Sequence, residues 1–310
     1  MLFSGIARIG LGAAPNKGLP EKVDVFRTVT APHTSPRTSP RTSPRISPRI
    51  ASLVPSLTEL LFELGLGPWL VARTGFCIHP RDAVAALPKV GGTKDVNLAK
   101  LRRLAPTHVL VNIDENRRET VDAIRAWAAA DGPPAPQIVV THPLGPDDNL
   151  ALVAQLLDHF GALDGVAERA ERLRAALRDE LEQTRPDGRP SQRVLYLIWR
   201  DPWMTVSRDT YIARMLARVN WHSLPELDGG PSGAARYPTV RGDEAWLAQV
   251  DQVLLSSEPY AFGAAHLGEA RALCPNAQVR LVDGEMLSWY GARAVPGLRY
   301  LRQIAESVWQ

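Results

Sequence analysis

Cysteine is scarce: Cys77 and Cys274 stand far apart, with no C-x-x-C pair or Cys/His cluster beside either. That excludes a small disulfide-built scaffold and gives no zinc signature, while leaving open whether the two pair with each other. No apolar run approaches the ~18 residues of a membrane-spanning helix. The usual enzyme fingerprints are missing too. GLGAAP at 10–15 lacks a third glycine and a preceding strand, and neither GxxxxGK with Ser or Thr nor GxSxG occurs, which removes the best evidence for dinucleotide, P-loop or hydrolase chemistry. The histidines show no H-x-x-x-H or H-E-x-x-H spacing. They read as hydrogen-bonded residues at strand ends, and no metal site or intrinsic cofactor is assigned.

The chain has 310 residues with 45% apolar content, enough for a globular body of one or two domains. Its net charge of +3 is unevenly spread. Residues 1–49 carry eight basic and two acidic side chains, so the remainder, with 28 basic and 31 acidic residues, stands at −3. A slightly acidic body is a poor nucleic-acid binder by bulk charge, and no nucleic-acid partner is expected. The run TSPR-TSPR-TSPR-ISPR at 34–49 removes a backbone donor every fourth residue and builds no apolar face, which predicts a disordered basic arm over 1–48. The opening MLFSGIARIGLGAAP is interrupted by Arg8 and has no basic stretch before it, so by itself it reads as cytoplasmic rather than secretory.

From Arg49 onward, short apolar runs alternate with helical stretches. IASLVP (50–55) reads as a buried strand, and Ser56 with Glu59 as a capping box opening a helix that Gly65 stops. WLVA, HVLVN and QIVVTH are further strands, with Asn97 capping LAKLRRL and RRETVDAIRAWAAA forming a helix. Residues 164–184 place Val166, Ala170, Leu173, Leu177 and Leu181 on one helical face about 30 Å long. The alternation then restarts with strand RVLYLIW, helices TYIARMLARV and DEAWLAQV, strands QVLLSS and QVRLVD, and a last helix from Pro296 to Trp309. This is an α/β protein: two α/β lobes joined by one long helix, with boundaries at 49–163, 164–186 and 187–310. Ligands of such sheets bind beyond the carboxyl ends of the strands, here facing one another across a cleft.

Large aromatic side chains recur at those strand exits: Phe76, Trp199, Trp203, Tyr237, Tyr260, Trp289 and Tyr290. Three or four rings, each laying half of its ~150–250 Å² on a ligand, contribute several kcal/mol, so a flat bulky ligand could be held mainly by contact. On that reading Trp199→Ala or Trp289→Ala weakens binding and spares the fold. Lys94, Arg200, Arg236, Arg241 and Arg293 lie in the same loops and suit carboxylate, phosphate or amide-oxygen groups. Glu258, Asp283 and Glu285 could supply acid or base groups, but carboxylates at such positions are more often loop caps, and no enzymatic activity is assigned.

RIASLVPSLTELLFELGLGPWLVART, with PKVGGTKDVNLAKLRRLAPTHVLV after it, resembles the first lobe of the cobalamin and iron-siderophore substrate-binding proteins of ABC importers, the helical-backbone metal receptors with the class III periplasmic-binding fold. The likeness runs from about residue 49 to the C-terminus. It implies a monomeric, periplasmic receptor that binds a corrinoid, haem or ferric siderophore between its lobes and hands it to an ABC importer permease dimer. A cytoplasmic corrinoid or haem carrier, or a ligand-sensing regulator, is the alternative. By motif, the resemblance puts Phe76 at a stacking tyrosine position, Trp199 near a second-lobe phenylalanine, Tyr237 at a Trp-Pro position, and Trp289 and Tyr290 in a late aromatic loop. Thr93 stands where the cobalamin binder has a cleft tryptophan, with Lys94 beside it. Ala99 replaces a first-lobe docking glutamate, and Asp243 and Glu244 supply the second-lobe acids. The ligand-binding set is therefore Phe76, Thr93, Lys94, Trp199, Trp203, Tyr237, Trp289, Tyr290 and Arg293.

Overall fold

The computed structural model describes residues 47–129 and 135–307. The expected arm lies outside them except for its last two residues. The first half runs β1 (Ile50–Ser52), α1 (Pro55–Glu63), β2 (Leu70–Arg73), α2 (Arg81–Ala85), α3 (Leu98–Arg103), β3 (His108–Asn112), α4 (Arg118–Arg125), β4 (Gln137–Thr141) and α5 (Asn149–Phe160). A long helix, α6 (Val166–Gln183), follows. The second half runs β5 (Gln192–Leu197), β6 (Trp203–Met204), α7 (Tyr211–Ala217), β7 (Trp221–Ser223), β8 (Thr239–Val240), β9 (Gln252–Ser256), α8 (Leu267–Leu273), β10 (Gln278–Val282), α9 (Gly284–Ser288) and α10 (Ala294–Glu306).

Two parallel four-stranded sheets result, ordered β2-β1-β3-β4 and β10-β9-β5-β7, with β6 and β8 as a separate antiparallel pair. Their central strands, β1, β3, β5 and β9, are almost wholly buried, because helices cover both faces and leave no solvent side for alternation to mark. On α6 the predicted stripe does two jobs. Val166, Ala170, Leu173 and Leu177 pack with α1 and α5 in the first core, while Leu181 enters the second. At ~1.5–3 kcal/mol for each fully buried branched side chain, the helix is anchored in both lobes. Its buried Glu180 accepts from Arg299 and Arg302 of α10 at 2.5 Å each, which fixes the last helix against it.

Local expectations fared unevenly. Asn97 caps α3, its Oδ1 accepting from the Lys100 amide at 2.8 Å. Gly65 ends α1 with φ +78°, a left-handed backbone that glycine adopts without strain. The Ser56/Glu59 capping box does not form. Pro55 opens the helix with Val54 as an uncapped N-cap, Ser56 is buried in the first turn, and Glu59 pairs with Arg293 of the other lobe instead. DEAWLAQV gives only a 3₁₀ turn, Ala245–Gln249, and RRETVDAIRAWAAA tightens from α4 into 3₁₀ after Arg125. The last helix starts two residues earlier than expected.

Candidate functional site

The carboxyl ends of both sheets meet. From the first lobe come Asn112 at the end of β3, then Asp114 and Glu115, with Pro143 beyond β4. From the second come Thr210 and Tyr211 at the start of α7, Arg236 and Tyr237 before β8, and Ser288 to Tyr290 after α9. Between them lies a cavity of mixed polar and apolar lining with about 20 Å³ of water-accessible space, room for one water-sized group. Asn112 also borders a roomier neighbour of about 240 Å³ on the α4 side, floored by Val111, Val121 and Val140 and rimmed by Arg117, Arg118 and Ser232. Among the described residues, no group of three His, Cys, Asp or Glu could hold a metal ion.

Polar bonds join the lobes around the smaller cavity. The Tyr290 hydroxyl donates to Glu115 Oε1 at 2.8 Å. Both residues are only 2% exposed. Burial pushes the Glu115 carboxyl from 4.5 up to about 7, the Tyr290 bond opposing the rise, and drives the Tyr290 hydroxyl well above its ordinary value. Asn149, the first residue of α5, donates from Nδ2 to the Tyr211 hydroxyl at 3.1 Å and accepts the Gly291 amide at 2.5 Å. Gly291 has φ +76°, and a Cβ there would stand 3.1 Å from Leu60 Cβ. A half-buried fork completes the seam: the Arg293 guanidinium binds Glu59 of α1 at 2.6 Å and Glu285 of α9 at 3.0 Å, and His79 meets Glu285 at 3.2 Å.

The expected ligand-binding residues fall into three settings. Lys94 is drawn to the first-lobe strand end, where its Nζ donates to the Asp114 carbonyl at 2.6 Å. Burial lowers its pKa, against the pull of Glu115 and Asp114. Thr93 is buried, with its carbonyl accepting from Asn116, and Phe76 is half-buried against Gly92. Tyr237 lines the cavity, its hydroxyl pKa raised by burial. Trp289, Tyr290 and Arg293 belong to the interlobe seam rather than to an open wall. Trp289 is 2% exposed, donates to Glu258 Oε1 at 2.8 Å, receives the His79 ring edge-on and sits under the Arg293 guanidinium. Trp199 and Trp203 form a separate second-lobe aromatic group. Trp199 meets Tyr260 edge-on, and Trp203 stacks on Phe262 over the core of that lobe. The Glu258–Phe262 loop joins this group to Trp289.

Asp243 and Glu244 occupy an exposed turn, where Asp243 pairs with Arg241 at 3.2 Å and the Glu244 carboxylate accepts the Arg241 and Gly242 amides. Arg200 is engaged by Glu269 and Asp201. Asp283 caps α9, in keeping with the capping role expected of carboxylates at strand exits. Cys77 and Cys274 are buried free thiols in different lobes. Sequence reasoning missed Asp114, Glu115, Asn149 and Tyr211, although the acid pair just after strand HVLVN was visible.

No protein-family profile matches the sequence, and no curated protein matches it. Solved structures do. The periplasmic vitamin B12-binding protein BtuF of Vibrio cholerae is 17% identical over 84% of this chain and 98% of its own, with a TM-score of 0.69. The periplasmic heme-binding protein RhuT from Roseiflexus sp. RS-1 is 22% identical over 85% and 100%, with a TM-score of 0.67. The periplasmic heme-binding protein HutB of Vibrio cholerae is 19% identical over 86% and 100%, also at 0.67. These full-length likenesses establish that the chain has the class III periplasmic-binding fold, two α/β lobes joined by a long helix.

Proposed function

We propose that this chain binds a metal chelate of the corrinoid, haem or ferric-siderophore kind between its lobes, as the solute receptor of an ABC importer. The observation that carries the reading is the meeting of both sheets' carboxyl ends at one cavity lined by Asn112 and Asp114 from the first lobe and by Tyr211, Tyr237 and Tyr290 from the second. Proteins of the same fold over their full length, by name, bind vitamin B12 or heme. The lobes 49–163 and 187–310 meet through the bonds of the seam, and a ligand of this size enters by parting them and seats against Phe76, Trp199 and Tyr237. Trp289, Tyr290 and Arg293 then act from behind, holding the seam in register. No helix among the described residues is long and apolar enough to cross a membrane. On this reading the receptor is a periplasmic monomer that meets an importer permease. Asp243 is the exposed docking acid, with Ala99 in place of a first-lobe counterpart.

The test is a panel of cyanocobalamin, cobinamide, haemin and ferric siderophores, followed by tryptophan fluorescence and calorimetry with product analysis. One class binding one-to-one at micromolar affinity or better, and recovered unchanged, is the expected result. Failure of every member, or conversion of the bound compound, overturns the reading.

A further inference from the structure

The roomier cavity on the α4 side, with about 240 Å³ of water-accessible space, is built from both lobes. Its floor is aliphatic: Val111 and Ile113 from the end of β3, Val121 from α4 and Val140 from β4. Ser232 of the second lobe stands over it, and Asn112 lines both this cavity and the smaller one. The polar lining is already engaged. Asn116 Oδ1 accepts the Asn112 amide at 2.9 Å, and Asn116 Nδ2 donates to the Thr93 carbonyl at 2.9 Å. Asn112 Oδ1 accepts the Asp114 amide at 2.8 Å, and both asparagines are buried. At the rim, Arg117 pairs with Asp95 at 3.2 Å and Arg118 with Asp122 at 3.6 Å, so each cation has a carboxylate beside it. What this space offers a ligand is apolar contact. Ser232 belongs to an exposed turn between Gly230, φ +80°, and Gly233, φ +101°. A Cβ at either glycine would meet nothing within 4 Å, so backbone conformation rather than packing calls for glycine there. The base of the turn is held by Arg208 on Asp228 at 2.6 Å and by Arg236 Nη1 on the Gly230 carbonyl at 2.8 Å.

A cavity of about 150 Å³ lined by aliphatic side chains is enough for benzene, so this larger space accommodates a two-ring group. Removal of its apolar surface from water holds such a group without a hydrogen bond or a charge. We propose that this cavity is a subsite for an uncharged, apolar two-ring arm carried by the bound chelate, lying on the Val111, Val121 and Val140 floor beneath Ser232. The inference rests on the binding reading above and narrows it. The ligand projects an apolar ring system away from its metal centre. A charged group in the same place is disfavoured, because it leaves water for a lining whose polar atoms already have partners.

The experiment is saturation-transfer NMR on the full chain with 2-naphthol as the probe and 2-naphthoate as its charged counterpart. Each is titrated against the wild type, Val140→Phe, which fills the floor, and Ser232→Trp, which covers the mouth from an exposed turn. The neutral naphthol is expected to bind with a submillimolar Kd, at least fivefold more tightly than the naphthoate, and each substitution weakens it at least fivefold. If Val140→Phe fails to fold, Ser232→Trp decides. No naphthol binding, naphthoate binding as tight or tighter, or naphthol binding unchanged in Ser232→Trp, which marks an adventitious site, refutes the subsite and leaves the receptor reading intact. Naphthol binding that responds to both substitutions, with failure of every chelate in the wider panel, refutes the chelate arm and the receptor reading together.

Discussion

Glu115 gives the structure a pH dependence that can be worked through. In the folded chain its carboxyl is pushed by burial from 4.5 to about 7, with Tyr290 donating to it. A carboxyl raised on folding binds its proton more tightly in the native state, so its contribution is complete below pH ~4.5. It falls by up to about 1.4 kcal/mol per pH unit and is gone above pH ~7, a loss of about 3 kcal/mol. Other groups act in the opposite direction. His108 and His159, lowered by burial, weaken the native state as pH falls below ~6.5, and Asp228 and Asp251, lowered by their arginine partners, do so below ~4. The informative quantity is therefore the difference between wild type and Glu115→Gln, which keeps an acceptor for Tyr290 but cannot ionise. Urea unfolding from pH 5 to 8 should show the variant gaining on the wild type by about 2 kcal/mol between pH 5 and 7, and by only a few tenths more up to pH 8. A difference that stays flat across that range refutes the assignment of a protonated, buried Glu115.

Other expectations follow from the same contacts. Arg293→Met strands Glu59 and Glu285 in the seam and should cost about 2 kcal/mol in urea unfolding, with Arg293→Lys recovering part of it. Trp289→Ala should cost about 3–5 kcal/mol of stability, reversing the expectation that this ring could be removed without harm to the fold. A thermal midpoint equal to wild type would show the indole to be dispensable packing. Gly291→Ala, at φ +76° and against Leu60, should destabilise by about 1–3 kcal/mol in the same assay. Asn97→Ala should remove a cap worth about 1 kcal/mol.

Much of the architecture was legible in the sequence because it is written in local period. Unbroken apolar runs mark strands covered on both faces, and the heptad-like stripe from Val166 to Leu181 marks the helix shared by two cores. Asn97 was legible because a cap acts on amides three residues away. The site was less so, since its contacts span the chain. Glu59 with Arg293, Glu115 with Tyr290 and Asn149 with Gly291 are separated by 234, 175 and 142 positions. The sequence pattern also placed aromatic rings at strand exits without distinguishing a ring that faces ligand from one that closes the seam. Trp289 illustrates this: its burial follows from Glu258, His79 and Arg293, none of which is marked by spacing. Glu59 was assigned to a capping box by a correct local rule that Pro55 and a distant arginine overrode.

The account depends most on the interlobe seam being where ligand binds. Hydrogen–deuterium exchange on the full chain, with and without whichever chelate the panel identifies, measures this directly. The account predicts new protection confined to residues 112–116, 209–212, 236–237 and 288–291, from both lobes at once. Protection confined to one lobe, or lying away from these strand ends, contradicts it.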